Sequence, residues 1–435
     1  MPRSSARTIW NAAVDAVRPA ILFRDQAATW AELRSAPRIL VLGAGKAGAA
    51  MSVAFENALG DDLEKVTGWV NIPEGTQQTT RRIHLHPARP LASNHPMEAG
   101  VAGSREILRL AREAGPDDVA VCLWSGGGSA LLPAPVAGIT LADKQAVTKL
   151  LHACGATINE MNAVRKHLSA IKGGRLAEAF AGRRLISLVI SDVVGDPLDV
   201  IASGPTAPDP TTFADVWAIL ERFDLISRIP AAVAQHLRRG CASEITETPK
   251  AIAPRVTNQI LGNNALALQA AAATAARLGY RVVNLGSFIE GETSAVATAF
   301  AGIVTSVRRD NVPHAPPVCI LSGGETTVTL PESHGRGGRN QEFALAMLDK
   351  LSPDGLSGVA IVCGGTDGED GPTDAAGALV DVSSFARAAA LGLSPRESLL
   401  RHDAYPFFQA LGDLVITGPT GTNVMDIRVM LIDNP

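Results

Sequence analysis

Cysteine is scarce in this chain of 435 residues. Cys122, Cys154, Cys241, Cys319 and Cys363 are scattered, odd in number and form no C-x-x-C pair. That excludes a disulfide framework and a structural zinc site, both of which need clustered thiols. Cys122, Cys319 and Cys363 lie in apolar, strand-like runs, where cysteine acts as a small hydrophobe. A reducing compartment fits. Positive charge is also lacking. The formal net charge is -4 and no long block of Lys or Arg occurs, which disfavours a nucleic-acid binder. A small anionic ligand needs only a few local cations. Long hydrophobic runs are missing as well: none approaches the ~20 apolar residues of a membrane span. Met1 to Ala20 has no continuous apolar segment of the kind a secretory signal needs. It reads as an amphipathic helix with Ile9, Ala13 and Val17 on one face. The expected location is cytoplasmic. Aromatics are only 4%, against 46% apolar residues and 41 glycines, a mix that suits helices packed closely on sheets through glycine-rich turns.

The length favours two domains. Short apolar runs recur: Arg38–Leu42, Val66–Ile72, Val119–Trp124, Leu185–Ser191, Arg281–Leu285, Val318–Leu321 and Val359–Cys363. Near-continuous apolar runs of this length suit strands buried on both faces of a parallel sheet. Ala- and Leu-rich stretches such as Gly100–Ala114 and Asn264–Leu278 read as helices between them. The alternation predicts a doubly wound α/β fold. Proline accumulates between Ala207 and Pro254, and a polar stretch at Glu244–Lys250 places the domain boundary near Arg239–Pro254.

In open α/β sheets ligands bind beyond the carboxyl ends of strands, so the loops there carry the interest. Gly43-Ala-Gly45-Lys46-Ala-Gly48 follows the first run and matches G-x-G-x-x-G. Its glycines would let backbone approach a phosphate at a helix N-terminus, although a tight turn uses the same residues. The acid that a dinucleotide fingerprint needs after the second strand is poorly matched by Pro73-Glu74. Lys46 inside the loop could steady phosphoryl oxygens or a carboxylate. Ser125-Gly126-Gly127-Gly128-Ser129 follows the third run and could form an anion-binding nest; it lacks the G-x-S-x-G elbow of a serine hydrolase. Asp192 ends the fourth run, where a carboxylate can hold Mg2+ or accept a hydroxyl proton. Arg165-Lys166-His167 and Lys172 bring cations together in sequence, with a solvated helix face as the default reading. Glu325 follows Ser322-Gly-Gly. Arg336 and Arg339, in a glycine-rich stretch before Asn340, fit clamping of a transferred phosphoryl group. Asp367 lies among glycines and carboxylates that suggest a metal or a tight turn, without EF-hand spacing. Thr420 and Asn423 could line a pocket or simply turn the chain.

Nine stretches, in order along nearly the whole chain, resemble the class II glycerate kinases, a family also called hydroxypyruvate reductases in places. They are GAGKAG at Gly43–Gly48, SGGGSALL at Ser125–Leu132, NAVRKHLSAIKGGRLA at Asn162–Ala177, SDVVGD at Ser191–Asp196 and IASGPTAPD at Ile201–Asp209. LSGGETTV at Leu321–Val328, GRGGRNQEFALA at Gly335–Ala346, GGTDGEDGPTDAAGA at Gly364–Ala378 and TGPTGTNVMDI at Thr417–Ile427 complete them. His95-Pro96 fits a further element, with Asn94 where a glycine is usual. The resemblance implies a larger Rossmann-like N-terminal domain, here 1–240 with 405–435 returning to it. A smaller α/β C-terminal domain would span 250–400, with the active site in the cleft between them. It implies ATP, Mg2+ and D-glycerate as ligands, 2-phosphoglycerate as product, and Lys46 and Arg336 as catalytic cations.

The combined reading is a kinase in which Lys46, Arg336 and Asp192 act on the reaction. Gly43, Gly45, Ser125, Gly126, Gly127, Gly128, Ser129, Arg165, Lys172, Glu325, Asn340, Thr420 and Asn423 would bind substrate or nucleotide, and Asp192 or Asp367 the metal. Expected partners are D-glycerate and a nucleotide, with neither nucleic acid nor membrane; a homodimer is compatible. Neither the P-loop nor the protein-kinase signature is present, so ATP binds by another scheme. The rivals are an NAD(P)H-dependent hydroxypyruvate reductase, resting on Gly43, Gly45 and Gly48, and a non-catalytic sugar-phosphate or nucleotide sensor.

Overall fold

Each apolar run becomes a strand, as its composition requires. In a computed structural model that describes residues 2–24, 26–90, 93 and 95–434, β1 (Ile39–Ala44), β2 (Val66–Pro73), β3 (Ile83–Arg89), β4 (Val119–Trp124), β5 (Arg184–Ile190) and β6 (Val256–Gly262) form one sheet in the order β3-β2-β1-β4-β5-β6. β1 pairs in parallel with β2 and β4, β2 with β3, and β4 with β5. Every residue of β1 and β4 is buried, which is why their sequences are apolar without alternation. Leu40, Leu42, Cys122 and Trp124 share a core with Ile107, Leu176 and Phe180 from the covering helices. A separate helical cluster joins Val147, Leu151 and Val164 to Phe213, Val216 and Leu220.

The second sheet runs β12-β11-β10-β13-β9-β7. Its strands are β7 (Arg281–Asn284), β8 (Ile289–Glu292), β9 (Val318–Thr327), β10 (Val359–Gly365), β11 (Gly377–Asp381), β12 (Leu414–Val415) and β13 (Asp426–Ile432), with β8 paired to β9 off the main path. Only β7 and β8 run parallel to β9; the pairs β9–β13, β13–β10, β10–β11 and β11–β12 are antiparallel. The apolar runs were therefore sound evidence for strands, buried apart from the half-exposed β7, and poor evidence for their direction. Both faces are covered by helices, and burial on two faces erases the alternation that would mark an antiparallel strand. Phe300, Phe343, Met347, Phe407 and Phe408 fill the core there.

The chain divides into compact units Leu22–Leu261 and Met1–Ile21 with Gly262–Pro435. Three boundaries differ from expectation. The break lies past Arg239–Pro254, because Val256–Gly262 continues as the sixth strand of the first sheet. Residues 405–435 do not return to the N-terminal unit: β13 inserts between β9 and β10, hydrogen-bonded on both sides. The N-terminal helix Pro2–Ala16 belongs with the C-terminal unit, where Trp10 is buried against Gly364. The amphipathic face was legible; its partner, far away in sequence, was not. Asn94 lies outside the described residues.

Candidate active site

The order of the first sheet reverses between β1 and β4, each leading to a glycine loop. Ligands of open α/β sheets settle at such a switch point. Here the two loops are bonded to one another. The Lys46 N–H donates to Gly126 O (2.8 Å), the Ser125 N–H to Ala44 O (3.2 Å) and the Ala47 N–H to Ser125 Oγ (3.0 Å). Gly45 donates to Asn71 O and Gly48 to Gly45 O. Most amides expected to cradle a phosphate in Gly43–Gly48 are thus consumed in holding the loop. Gly43 lies inside β1, where a Cβ would come 2.6 Å from Leu123 O, and a Cβ on Gly45 would strike Ser125 Oγ at 2.0 Å. These glycines serve close packing, and buried Ser125 serves as a tether.

The second loop keeps the nest-like character. The Gly126 and Gly127 amides donate to no group among the described residues. Gly127 is left-handed at φ 74°, and a Cβ there would lie 3.3 Å from Lys46 Cγ and 3.4 Å from Arg89 Nη2. A Cβ on Gly126 would run into the Asp192 carboxylate at 1.8 Å. Lys46, Arg89 and Asp192 therefore crowd two consecutive glycines, from three different strand ends. Gly128 packs on Ala202. Arg89, buried at the end of edge strand β3, was missed; β3 reads IHLHPAR and shows neither an apolar run nor a glycine loop.

Ser129 leads into a further buried network. Lys172 Nζ donates to Ser129 O (2.6 Å) and Ser129 Oγ (2.5 Å), Ser129 Oγ bonds Ser203 Oγ (2.9 Å), and Ser203 donates to Asn162 Oδ1 (3.2 Å). The helix Ile158–His167 is not the solvated face expected of Arg165-Lys166-His167. Lys166 is buried and paired with Asp199 (2.9 Å) and Asp209 (3.3 Å), His167 is buried against Glu247, and Arg165 is half-buried.

In the C-terminal unit the arginines divide. Arg336 is exposed and stacks over Tyr405, its guanidinium carbon 4.3 Å from the ring centroid. The Arg336 N–H donates to Asp403 (2.9 Å). Arg339 is already engaged: it pairs with Glu325 (2.7 Å) and, through two nitrogens, with fully buried Asp426 (2.7 and 3.0 Å). Burial alone would lower its pKa, but Asp426 and Glu325 carry it above the ordinary arginine value. Arg339 thus drops out of the phosphoryl clamp, and Glu325 is held by it. Asn340, only 1% exposed, bonds Asp370 and Asp426, so this candidate ligand is part of the frame. Thr420 is likewise internal, donating to Thr366 O (2.6 Å). Asn423 accepts from the Met425 N–H (3.1 Å) and Asp367 from the Glu369 N–H (3.1 Å); both shape turns.

Asp370 caps the helix Arg339–Gly355 through the Asn340 and Gln341 N–H groups. Burial pushes its pKa up to about 7, against the pull of those two hydrogen bonds. Its folded value lies above the unfolded value of about 3.9, so folding favours the protonated form. That contribution is present below the unfolded value and is lost as pH rises toward 7. Asp370→Asn is expected to flatten the decline in stability across that window, measured by urea unfolding at several pH values between 4 and 8; an unchanged slope would assign the decline elsewhere.

Among the described residues no group of three or more His, Cys, Asp or Glu could hold a metal ion by itself. Mg2+ does not need one: it is commonly held by one or two carboxylates together with substrate phosphates and water. Asp192, crowded against the glycine nest, fits that donor set.

A six-stranded sheet whose order reverses between two interlocked glycine loops, with a lysine, an arginine and a carboxylate at that point, makes this an α/β protein with a candidate anion site at its strand ends. Comparison narrows the class. The model for a domain of unknown function, DUF4147, matches residues 5–238, and that of the MOFRL family matches 318–426. A glycerate 2-kinase of Pyrococcus horikoshii is 39% identical over 91% of this chain and 87% of its own length. A protein of Agrobacterium vitis that bears the name hydroxypyruvate reductase is 45% identical over 91% and 99%. A crystal structure of a glycerate kinase from Thermotoga maritima superposes with a TM-score of 0.88 at 33% identity, covering 99% of both chains. The chain belongs to the class II glycerate kinase family. Among the described residues no helix is long and apolar enough to cross a membrane.

Proposed function

We propose that this chain transfers the γ-phosphoryl group of ATP to the 2-hydroxyl of D-glycerate. The observation that carries the reading is the convergence of Lys46, Arg89 and Asp192 on the Gly126–Gly127 turn at the switch point, in a chain whose relatives include glycerate kinases. The Lys46 ammonium neutralises charge on the phosphoryl group, and the two glycine amides bind its oxygens. Asp192 takes the hydroxyl proton or helps hold Mg2+, which when bound would offset phosphate charge. Arg336, presented on Tyr405, is the other catalytic cation in this reading, the role the family resemblance implies for it. A cytoplasmic location belongs to the same proposal.

The name borne by the Agrobacterium relative keeps a reductase in view. The locked amides of Gly43–Gly48 weigh against it, since a bound pyrophosphate would need them. Two assays on purified protein separate the readings: ADP formation with D-glycerate, Mg2+ and ATP, and NADH oxidation with hydroxypyruvate. NADH turnover without ADP would overturn the kinase reading. A chain with neither activity would be the sensor. NMR of the product decides between the 2- and 3-phosphate. Arg336→Ala is expected to lower kcat about 100-fold or more, the scale seen when one preorganised donor to transition-state charge is removed. Melting temperature should change little, because the side chain is exposed. A kcat within threefold of wild type would remove Arg336 from the reaction.

A further inference from the structure

Among the described residues, Lys144, Arg165 and Lys172 have no counter-charge. Lys144 and Lys172 are 8% and 3% exposed and Arg165 is half-buried. Among the described residues no carboxylate lies within ion-pair distance of any of the three; the nearby Asp199 and Asp209 are taken by Lys166. Among the described residues the two ammonium groups have only neutral acceptors. Lys144 donates to Leu168 O (3.0 Å), and Lys172 to Ser129 O and Oγ. Burying cations without an anion is costly, and the cost is visible in both. Burial pushes Lys144 down to about 7. Burial, with the charges of Lys144 and Arg165, pushes Lys172 well below the ordinary lysine value. The backbone holding Ser203 against Ser129 is itself strained: Ala202 and Ser203 both have positive φ, 51° and 61°. Such strain persists only where the surroundings impose it, and it gathers at functional sites.

We infer that Lys172, backed by Lys144 and Arg165 and flanked by the Ser129 and Ser203 hydroxyls, binds the carboxylate of the acceptor substrate. The inference rests on the glycerate kinase reading and adds to it the seat of the group that makes the substrate an acid. Ser129 stands two residues beyond Gly127, beside which Lys46 and Arg89 lie, so the cluster adjoins the turn proposed to hold the phosphoryl group. A phosphate is the other anion of matching chemistry, and the experiment separates the two.

The seat also links binding to protons. An anion beside Lys172 raises the pKa of its ammonium, so binding takes up a proton wherever the free amine has lost one, and affinity for glycerate falls as pH rises. The groups facing Lys172 are Lys144, Arg165, Ser129 and Ser203, with Asn162 behind Ser203.

The test uses the full-length enzyme. Lys172→Met is expected to raise the KM for D-glycerate about 100-fold, the scale of losing one partner of a buried charge pair, with the KM for ATP within twofold. Lys144→Met should raise it about tenfold. Lys172→Met should still unfold in one cooperative transition, with any loss limited to the two bonds to Ser129; this guards against misfolding as the cause. Calorimetric titration of D-glycerate in two buffers of different ionisation enthalpy should show proton uptake in wild type and none in Lys172→Met. A rise in the KM for ATP alone would make the cluster a phosphate seat and overturn the inference. Unchanged KM values for both substrates in an active enzyme would overturn it while leaving the kinase reading intact. Wild type without ADP formation would sink the kinase reading, and the glycerate titration would still decide whether the cluster binds a carboxylate.

Discussion

Lys46→Ala is expected to lower kcat for glycerate phosphorylation by about 1,000-fold, with the fold unchanged. The magnitude is that of removing a cation or oriented donor from developing phosphoryl charge. The structure makes the substitution clean. The loop is held by the Lys46 N–H on Gly126 O and the Ala47 N–H on Ser125 Oγ, and neither bond uses the lysine side chain. Alanine keeps the Cβ and removes only the stem and ammonium beside Gly127. Lys46→Arg should recover little, because the stem already lies 3.3 Å from the position of a Gly127 Cβ and Arg89 occupies the other flank; a planar guanidinium needs more room. Steady-state kinetics with a melting curve check this. A kcat within tenfold of wild type in a folded Lys46→Ala protein would end the proposed role.

The largest effect on stability is expected from Arg339→Met, about 3–5 kcal/mol, the usual cost of stripping one partner from a buried ion pair. Asp426 is fully buried and receives two bonds from Arg339 and one from Asn340, while Arg428 stands off at 3.5 Å. Without Arg339 the buried carboxylate is left with the Asn340 bond and the more distant Arg428. Because Asp426 opens β13, the strand that joins β9 to β10, the damage reaches the centre of the second sheet. Urea unfolding should show a lower midpoint. Adding Asp426→Asn to Arg339→Met should recover part of the loss, since the stranded charge is then gone. Equal stability of Arg339→Met and wild type would mean that Arg428 alone suffices.

The strand-end loops were legible because glycine, serine and lysine directly after an apolar run have few other uses. Lys46, the Ser125–Ser129 turn and Asp192 were proposed that way, and they lie in one compact unit. Arg336 and Arg339 show the limit. They sit three residues apart in one glycine-rich stretch and looked alike, yet one is exposed on Tyr405 and the other is locked between Glu325 and Asp426. Nothing local separates them, because Asp426 is 87 positions from Arg339. The internal bonds of Asn340 and Thr420 were invisible for the same reason: what a polar side chain near a glycine loop bonds to depends on what packs on it. Arg89 and Lys144 carried no local signal.

The sequence by itself determined the α/β class, the strands buried on both faces, the glycine loops at their ends and, through the order of nine motifs, the family. These are local properties: apolar period, turn chemistry and spacing. Tertiary structure alone decided that β13 enters the middle of the second sheet, that the first helix packs with the C-terminal unit, and that the amides of Gly43–Gly48 bond to the next loop. It also decided that Lys144 and Arg165 lie near Lys172, with no carboxylate of the described residues in ion-pair distance. Each depends on which distant segment completes a hydrogen bond or charge that the local chain leaves open, and that choice is made by packing.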